Sequence, residues 1–71
     1  MASFSVTRGA WTATIELDVE GRYTQWHAAL MTVDGVHFGW KGEMKTTELP
    51  DGVIQDAVGR LVHELMGALP A

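Results

Sequence analysis

Three histidines, His27, His37 and His63, are the side chains best able to move a proton or hold a metal near neutral pH. Their spacing does not bring them together. A hairpin at Asp34-Gly35 would send His27 and His37 to opposite faces of a sheet. His63 falls on the polar side of a helical stretch. Each reads as a surface imidazole, and a metal site would need ligands from two subunits. Glu16, Asp18 and Glu20 lie on one wet strand face, about 7 Å apart. Such a row could attract a cation or a basic partner, but a solvated strand face explains it as well. Glycoside hydrolysis needs two carboxylates across a cleft, and one sheet with one helix offers little cleft. The chain has no cysteine, and Ser3 and Ser5 have no evident histidine partner. No G-x-S-x-G, P-loop, H-E-x-x-H or G-x-G-x-x-G is present. The expectation is a protein with no catalytic residues, no cofactor and no bound metal.

Tryptophan is the unusual residue type, with three in 71 residues. Trp11 and Trp40 fit a small core under a helix. Trp26 has the opposite parity to the apolar positions of its strand and is expected to be exposed. There it could anchor a partner protein. Flanked by Arg22 and Lys41, it could instead stack a nucleic-acid base.

The elements that must position these residues follow from periodicity. From Trp11 to Glu20, apolar Trp11, Ala13, Ile15, Leu17 and Val19 alternate strictly with polar neighbours. That period of two marks a strand with one buried face. Phe4 and Val6 alternate in the same way upstream. A turn at Arg8-Gly9 would put Phe4 opposite Ala13 and Val6 opposite Trp11. The competing arrangement is one long strand bulged at Gly9. Turns at Glu20-Gly21 and Asp34-Gly35 complete strands at about 3–7, 10–20, 22–33 and 36–45. If Asp34-Gly35 is a two-residue turn, it pairs Val33 with Val36, Met31 with Phe38 and Ala29 with Trp40.

These turns conflict in parity. A two-residue turn at Glu20-Gly21 puts Trp26, Ala28 and Leu30 on the face of Ile15 and Leu17. The Asp34-Gly35 hairpin asks for Ala29, Met31 and Val33 there. A three-residue loop at Glu20–Arg22, or a bulge near Gln25–His27, would reconcile them.

Val53, Ile54, Ala57, Val58, Leu61, Val62, Leu65 and Met66 recur at helical spacing, predicting a helix at about 51–66. Pro50 and Asp51 suit its start and Gly67 its end. Gly59 costs about 1 kcal/mol against alanine and suggests a close approach. The expected core is Ile15, Leu17, Phe38, Trp40, Val58, Leu61 and Leu65. The apolar arc of the helix spans roughly 220°, about twice the usual stripe. Its excess edge, Val62, Met66 and Leu69, together with Trp26, makes up the candidate interface. Ala57, Gly59 and Ala68 would allow a second helix to come close.

The stretch Asp18-Val-Glu20-Gly-Arg22-Tyr23-Thr24-Gln-Trp26 resembles the N-x-E-x-Q-Y-S-x-W-P signature of MbtH-like proteins. Glu20, Tyr23 and Trp26 match in spacing, and Thr24 stands at the serine. His27 replaces the proline, Gly39-Trp40 falls four residues late, and the closing Trp-Thr-Asp and Arg-Pro motif is absent. The match covers nine residues of the chain. It implies strands before a helix and an adaptor that binds peptide-synthetase adenylation domains. The four-strands-then-helix order also resembles small coactivators that bind single-stranded DNA as dimers.

Composition narrows the classes. A net charge of −4 is a poor match for phosphate backbones or anionic membranes. The longest apolar run, Ala28–Met31, is far too short to cross a bilayer. The start has no basic or apolar leader pattern, so a complete, small cytoplasmic protein is expected. The fold class expected is α+β, a single domain with a four-stranded antiparallel meander and one C-terminal helix on its apolar face. The function expected is non-catalytic: a protein-interaction module that forms a homodimer or docks on a protein partner. Single-stranded nucleic-acid binding is the alternative, with an MbtH-like adaptor behind it. Nucleic acid is disfavoured by charge, and no membrane contact is expected.

Overall fold

The computed structural model describes residues 2–47 and 49–69. Strands β1 (Ala2–Arg8), β2 (Trp11–Glu20), β3 (Tyr23–Thr32) and β4 (His37–Lys45) form one antiparallel sheet in the order β1-β2-β3-β4. Helix α1 (Asp51–Met66) packs on one face. This is the α+β meander expected from the sequence.

The first two hairpins keep the expected parity. Gly9 and Gly21, with φ of 61° and 60°, open the two connections. Arg8 pairs with Trp11, so Phe4 faces Ile15 and Val6 faces Ala13. The turn sits one residue later than Arg8-Gly9, but every apolar residue stays on the same face. Glu20 pairs with Tyr23 across Gly21-Arg22.

The third hairpin resolves the parity conflict by its loop length. The Gly35 N–H donates to the Thr32 carbonyl at 3.1 Å, and the Thr32 N–H donates to the Val36 carbonyl at 2.9 Å. Those bonds enclose Val33, Asp34 and Gly35, and Gly35 has φ of 89°. A three-residue loop with a left-handed glycine last is a standard hairpin form. The extra residue therefore lies here, not at Glu20–Arg22 and not as a bulge near Gln25–His27. Leu30 pairs with Phe38 and Ala28 with Trp40, replacing the expected Met31–Phe38 and Ala29–Trp40 pairs. Val33 and Val36 are not cross-strand neighbours.

A single shift of one residue turns every side chain of a strand over. Trp26, Ala28 and Leu30 therefore point inward, and Met31 and Val33 are exposed. Trp26 is only 5% exposed, which corrects its expected position on the surface. Its ring lies over Gly42. A Cβ at Gly42 would fall 2.6 Å from the Trp26 ring, so glycine is what lets the indole lie flat on β4.

The core is formed by Trp11, Ala13, Ile15 and Leu17 from β2, Trp26, Ala28 and Leu30 from β3, and Ile54, Val58, Val62 and Met66 from α1. Thr24 and Thr46 are buried beside it, and one hydroxyl donates to the other at 2.8 Å. That mutual bond satisfies two groups that would otherwise be costly to bury.

Two contacts set the rotation and placement of the helix. At Gly59 a Cβ would meet the Phe4 ring at 3.2 Å, so the glycine brings α1 down onto β1. Arg8 donates to the His63 carbonyl at 2.8 Å, placing a cation at the negative end of the helix. Gly67 is right-handed, with φ of −63°, rather than the left-handed cap expected. The final turn tightens through Gly67 N–H to Glu64 O and Ala68 N–H to Leu65 O. The Arg8 guanidinium lies 2.8 Å from where a Cβ at Gly67 would stand, so a side chain there would push the arginine aside.

The helix thus rotates differently from the expected core. Val62 is fully buried, whereas Leu61 is 37% and Leu65 41% exposed. Phe38 is 37% exposed as well.

Ile54→Ala should lower the free energy of unfolding by about 2–5 kcal/mol, and Leu61→Ala by less than about half of that. Chemical denaturation followed by tryptophan fluorescence measures both, and equal losses would place Leu61 in the core. Gly42→Ala should cost about 1–3 kcal/mol by displacing the indole. An unchanged midpoint would mean that the Trp26 ring moves aside freely.

Candidate functional site

The helix crosses β1, β2 and β3, and β4 lies beyond its main footprint. The inward face of β4 carries Phe38, Trp40, Gly42 and Met44, paired with Leu30, Ala28, Trp26 and Thr24. Trp40 and Met44 are only partly buried against the core. On the helix, Gly59 and His63 mark the side above β1. Leu61 and Leu65 lie round the other side, toward β4, by the 100° helical step. Leu49 and Val53, just before and within the first turn of α1, are also exposed. The result is an apolar flank shared by β4 and one side of α1.

Aromatic rings stiffen the floor of this flank. Trp11 and Phe38 meet edge to face at 5.2 Å, and Phe38 and Trp40 do so at 5.7 Å. Edge-to-face contacts favour fixed ring orientations. Beside the flank, the buried Trp26 indole N–H has no hydrogen-bond partner among the described residues.

The candidate interface residues named from sequence lie elsewhere. Val62 and Met66 are buried against the sheet, Trp26 is buried over Gly42, and Leu69 packs partly against the core. A side chain buried inside one chain has no surface to offer another. The helix does have more apolar arc than the sheet covers, but the excess is Leu61, Leu65 and Val53. The signal that could have found it was Gly59, because a close approach there fixes which side of the helix faces β1.

The outward face of the sheet is polar and mixed in sign. Rows across it read Glu16, His27, Lys41, then Asp18, Gln25, Glu43, then Glu20, Tyr23, Lys45. The Glu16 and Glu20 rows end in Lys41 and Lys45 while the Asp18 row ends in Glu43, so the face mixes both signs and is neither an acidic trough nor a basic groove. The three-residue loop also brings His27 and His37 to the same face, correcting their expected separation onto opposite faces. They stay four residues apart along the sheet, about 13 Å. His63 is on the helix, across the sheet from both. Among the described residues no three acidic, histidine or cysteine side chains cluster as a metal site would need.

An open groove of about 630 Å³ runs between β1 and the helix. Phe4, Val6 and Gly59 form its floor, with Gln55, Arg60 and His63 on the rim. Asp56 and Arg60 form an exposed ion pair at 3.2 Å along that rim. Ser3 and Ser5 alternate with Phe4 and so face away from the groove. His63 therefore has no serine to activate.

The stretch that resembles MbtH-like proteins is the β2–β3 hairpin. Glu20 and Tyr23 close it, while Thr24 and Trp26 are buried beneath it. No protein-family model, curated protein or solved structure matches the chain.

Proposed function

We propose that this chain is a non-catalytic protein-interaction module that presents β4 and the Leu61–Leu65 side of α1 to another protein chain. The observation that carries this reading is the apolar flank, with Phe38, Leu61 and Leu65 each more than a third exposed beside a strand edge that has no neighbour in the sheet. Fully burying one such side chain is worth about 1.5–3 kcal/mol, so covering several of them rewards association. The edge-to-face contacts of Trp11, Phe38 and Trp40 fix one end of the flank, which lowers the entropy lost on binding there.

The nucleic-acid reading loses its support. It relied on an exposed Trp26 to stack a base, and Trp26 is buried. The outward face interleaves acids with its few bases, and the net charge is −4. An MbtH-like adaptor would also bind protein, but nothing beyond the hairpin motif favours that class of partner.

Site-specific photo-crosslinking in the producing cell tests the proposal. A photoreactive phenylalanine analogue at Phe38 or Leu65 should give protein adducts, and one at Thr14 on the outward face should give none. Absence of adducts from both flank positions, or equal yield from Thr14, would overturn the assignment of this surface.

A further inference from the structure

We infer that the partner on this flank is a second copy of the same chain, paired antiparallel through β4 with Gly42 opposite its own symmetry mate. This rests on the interaction surface proposed above and names its occupant. The inference comes from the residue pattern of β4 and the state of the two sheet edges.

The edges differ. At β1 the helix comes close, through Gly59 against Phe4 and through Arg8 bound to the His63 carbonyl. Both outer strands have an edge with no neighbour in the sheet among the described residues, but at β4 the adjoining apolar face also lies outside the main footprint of the helix. Unpaired strand edges are templates for another strand. A two-fold axis perpendicular to the sheet pairs β4 with its copy and keeps both helices on one side.

The sequence of β4 selects the register. Around Gly42 it reads Trp40, Lys41, Gly42, Glu43, Met44. With Gly42 on the axis, Lys41 of each copy faces Glu43 of the other on the outward side. On the inward side Trp40 of each copy faces Met44 of the other, a favourable sulfur–aromatic arrangement. Centring the pair on Lys41 would put two lysines face to face. Centring it on Glu43 would do the same with two glutamates. Like charges directly opposite destabilise a sheet, and opposite charges stabilise it. Centring the pair on Met44 would set Glu43 against Lys45 but overlap only residues 43–45 of the strand, whereas the Gly42-centred pair overlaps residues 39–45, sets Lys41 against Glu43 twice and leaves Lys45 facing Gly39.

This pairing acts on both open features together. It satisfies the free backbone edge of β4, and it joins the two flanks into one apolar seam between antiparallel helices. Gly42 has no side chain at the crossing point, and each Trp26 indole already covers its own glycine there.

A charge-swap series on the purified full chain tests this, read as molar mass by light scattering or sedimentation at low salt. The wild-type chain should be a dimer at about 100 µM. Lys41→Glu alone and Glu43→Lys alone should each weaken the dimer about tenfold or more, because each replaces two attractive pairs by two repulsive ones. The double variant Lys41→Glu/Glu43→Lys should restore the dimer. Mixing the two single variants should yield a heterodimer, since both cross-strand pairs are then attractive. Both side chains are on the exposed outward face, and circular dichroism confirms folding of each variant. A monomeric wild-type chain overturns the proposal. A dimer that ignores the single swaps, or is not rescued by the double swap or by mixing, also overturns it. A monomer that still gives adducts to other proteins at Phe38 overturns self-pairing and leaves the surface assignment standing. Absence of both dimer and adducts overturns both.

Discussion

One helix cannot cover four strands. An α-helix with its side chains is about 10–12 Å wide. Four strands spaced about 4.8 Å apart span about 15 Å between outer axes, before side chains are added. A single-layer meander under a single helix must leave some apolar sheet uncovered. Which strand is left bare depends on where the helix is pulled. Here Gly59 admits the Phe4 ring, and Arg8 ties the end of the helix to the β1 side. The wider uncovered strip therefore falls on β4, while Phe4 and Val6 on β1 stay partly covered beside the helix. The exposed Phe38, Leu61 and Leu65 follow from that one geometric shortfall.

The layout was largely legible in the residues. The strict alternation from Trp11 to Glu20 and the helical spacing from Val53 to Met66 each have one natural reading. The order of elements and the location of all three turns follow from them. What escaped was one residue of turn length. Asp34-Gly35 suits a two-residue loop and also a three-residue loop in which glycine comes last. Val36, Phe38 and Trp40 alternate correctly in either case, so β4 gives no warning. The unbroken ten-residue pairing of β2 with β3 was the stronger constraint, and it outvoted the turn. The rotation of the helix escaped for a related reason. An arc of roughly 220° has no marked centre, so periodicity could not choose between Val62 with Met66 and Leu61 with Leu65. The choice came from a close approach at Gly59, which is a tertiary effect.

Trp26 shows what that one residue changed for function. Read as exposed, it suggested an anchor or a base-stacking platform. Turned inward, it is a volume filler whose ring needs a glycine on the neighbouring strand. Among the described residues its buried indole N–H has no hydrogen-bond partner, and a buried donor left so costs about 1–3 kcal/mol. A smaller apolar residue would avoid that cost but leave the face of Gly42 empty. Covering an edge-strand glycine with an aromatic ring from the adjacent strand is a recognised way to stabilise such a site. The consequence reaches the surface. Gly42 flattens the middle of β4, and the aromatic rings of Trp11, Phe38 and Trp40 brace one end of it.

The open edge of β4 then poses a question of specificity. A protein can guard an exposed edge with charge, and a row of like charges would repel any copy of itself in any register. β4 does not carry such a row. Its outward face alternates in sign through Lys41, Glu43 and Lys45. Alternating charges are weak protection against pairing in general, because some register always brings opposite signs together. They are an effective filter against wrong registers, because a shift of the axis by one residue sets like charges face to face. Specificity of this kind needs repulsion in the alternatives as much as attraction in the chosen state. The small residue at position 42 and the alternating charges on one face limit β4 to few partners. The apolar face behind it supplies the free energy that the charges alone would not.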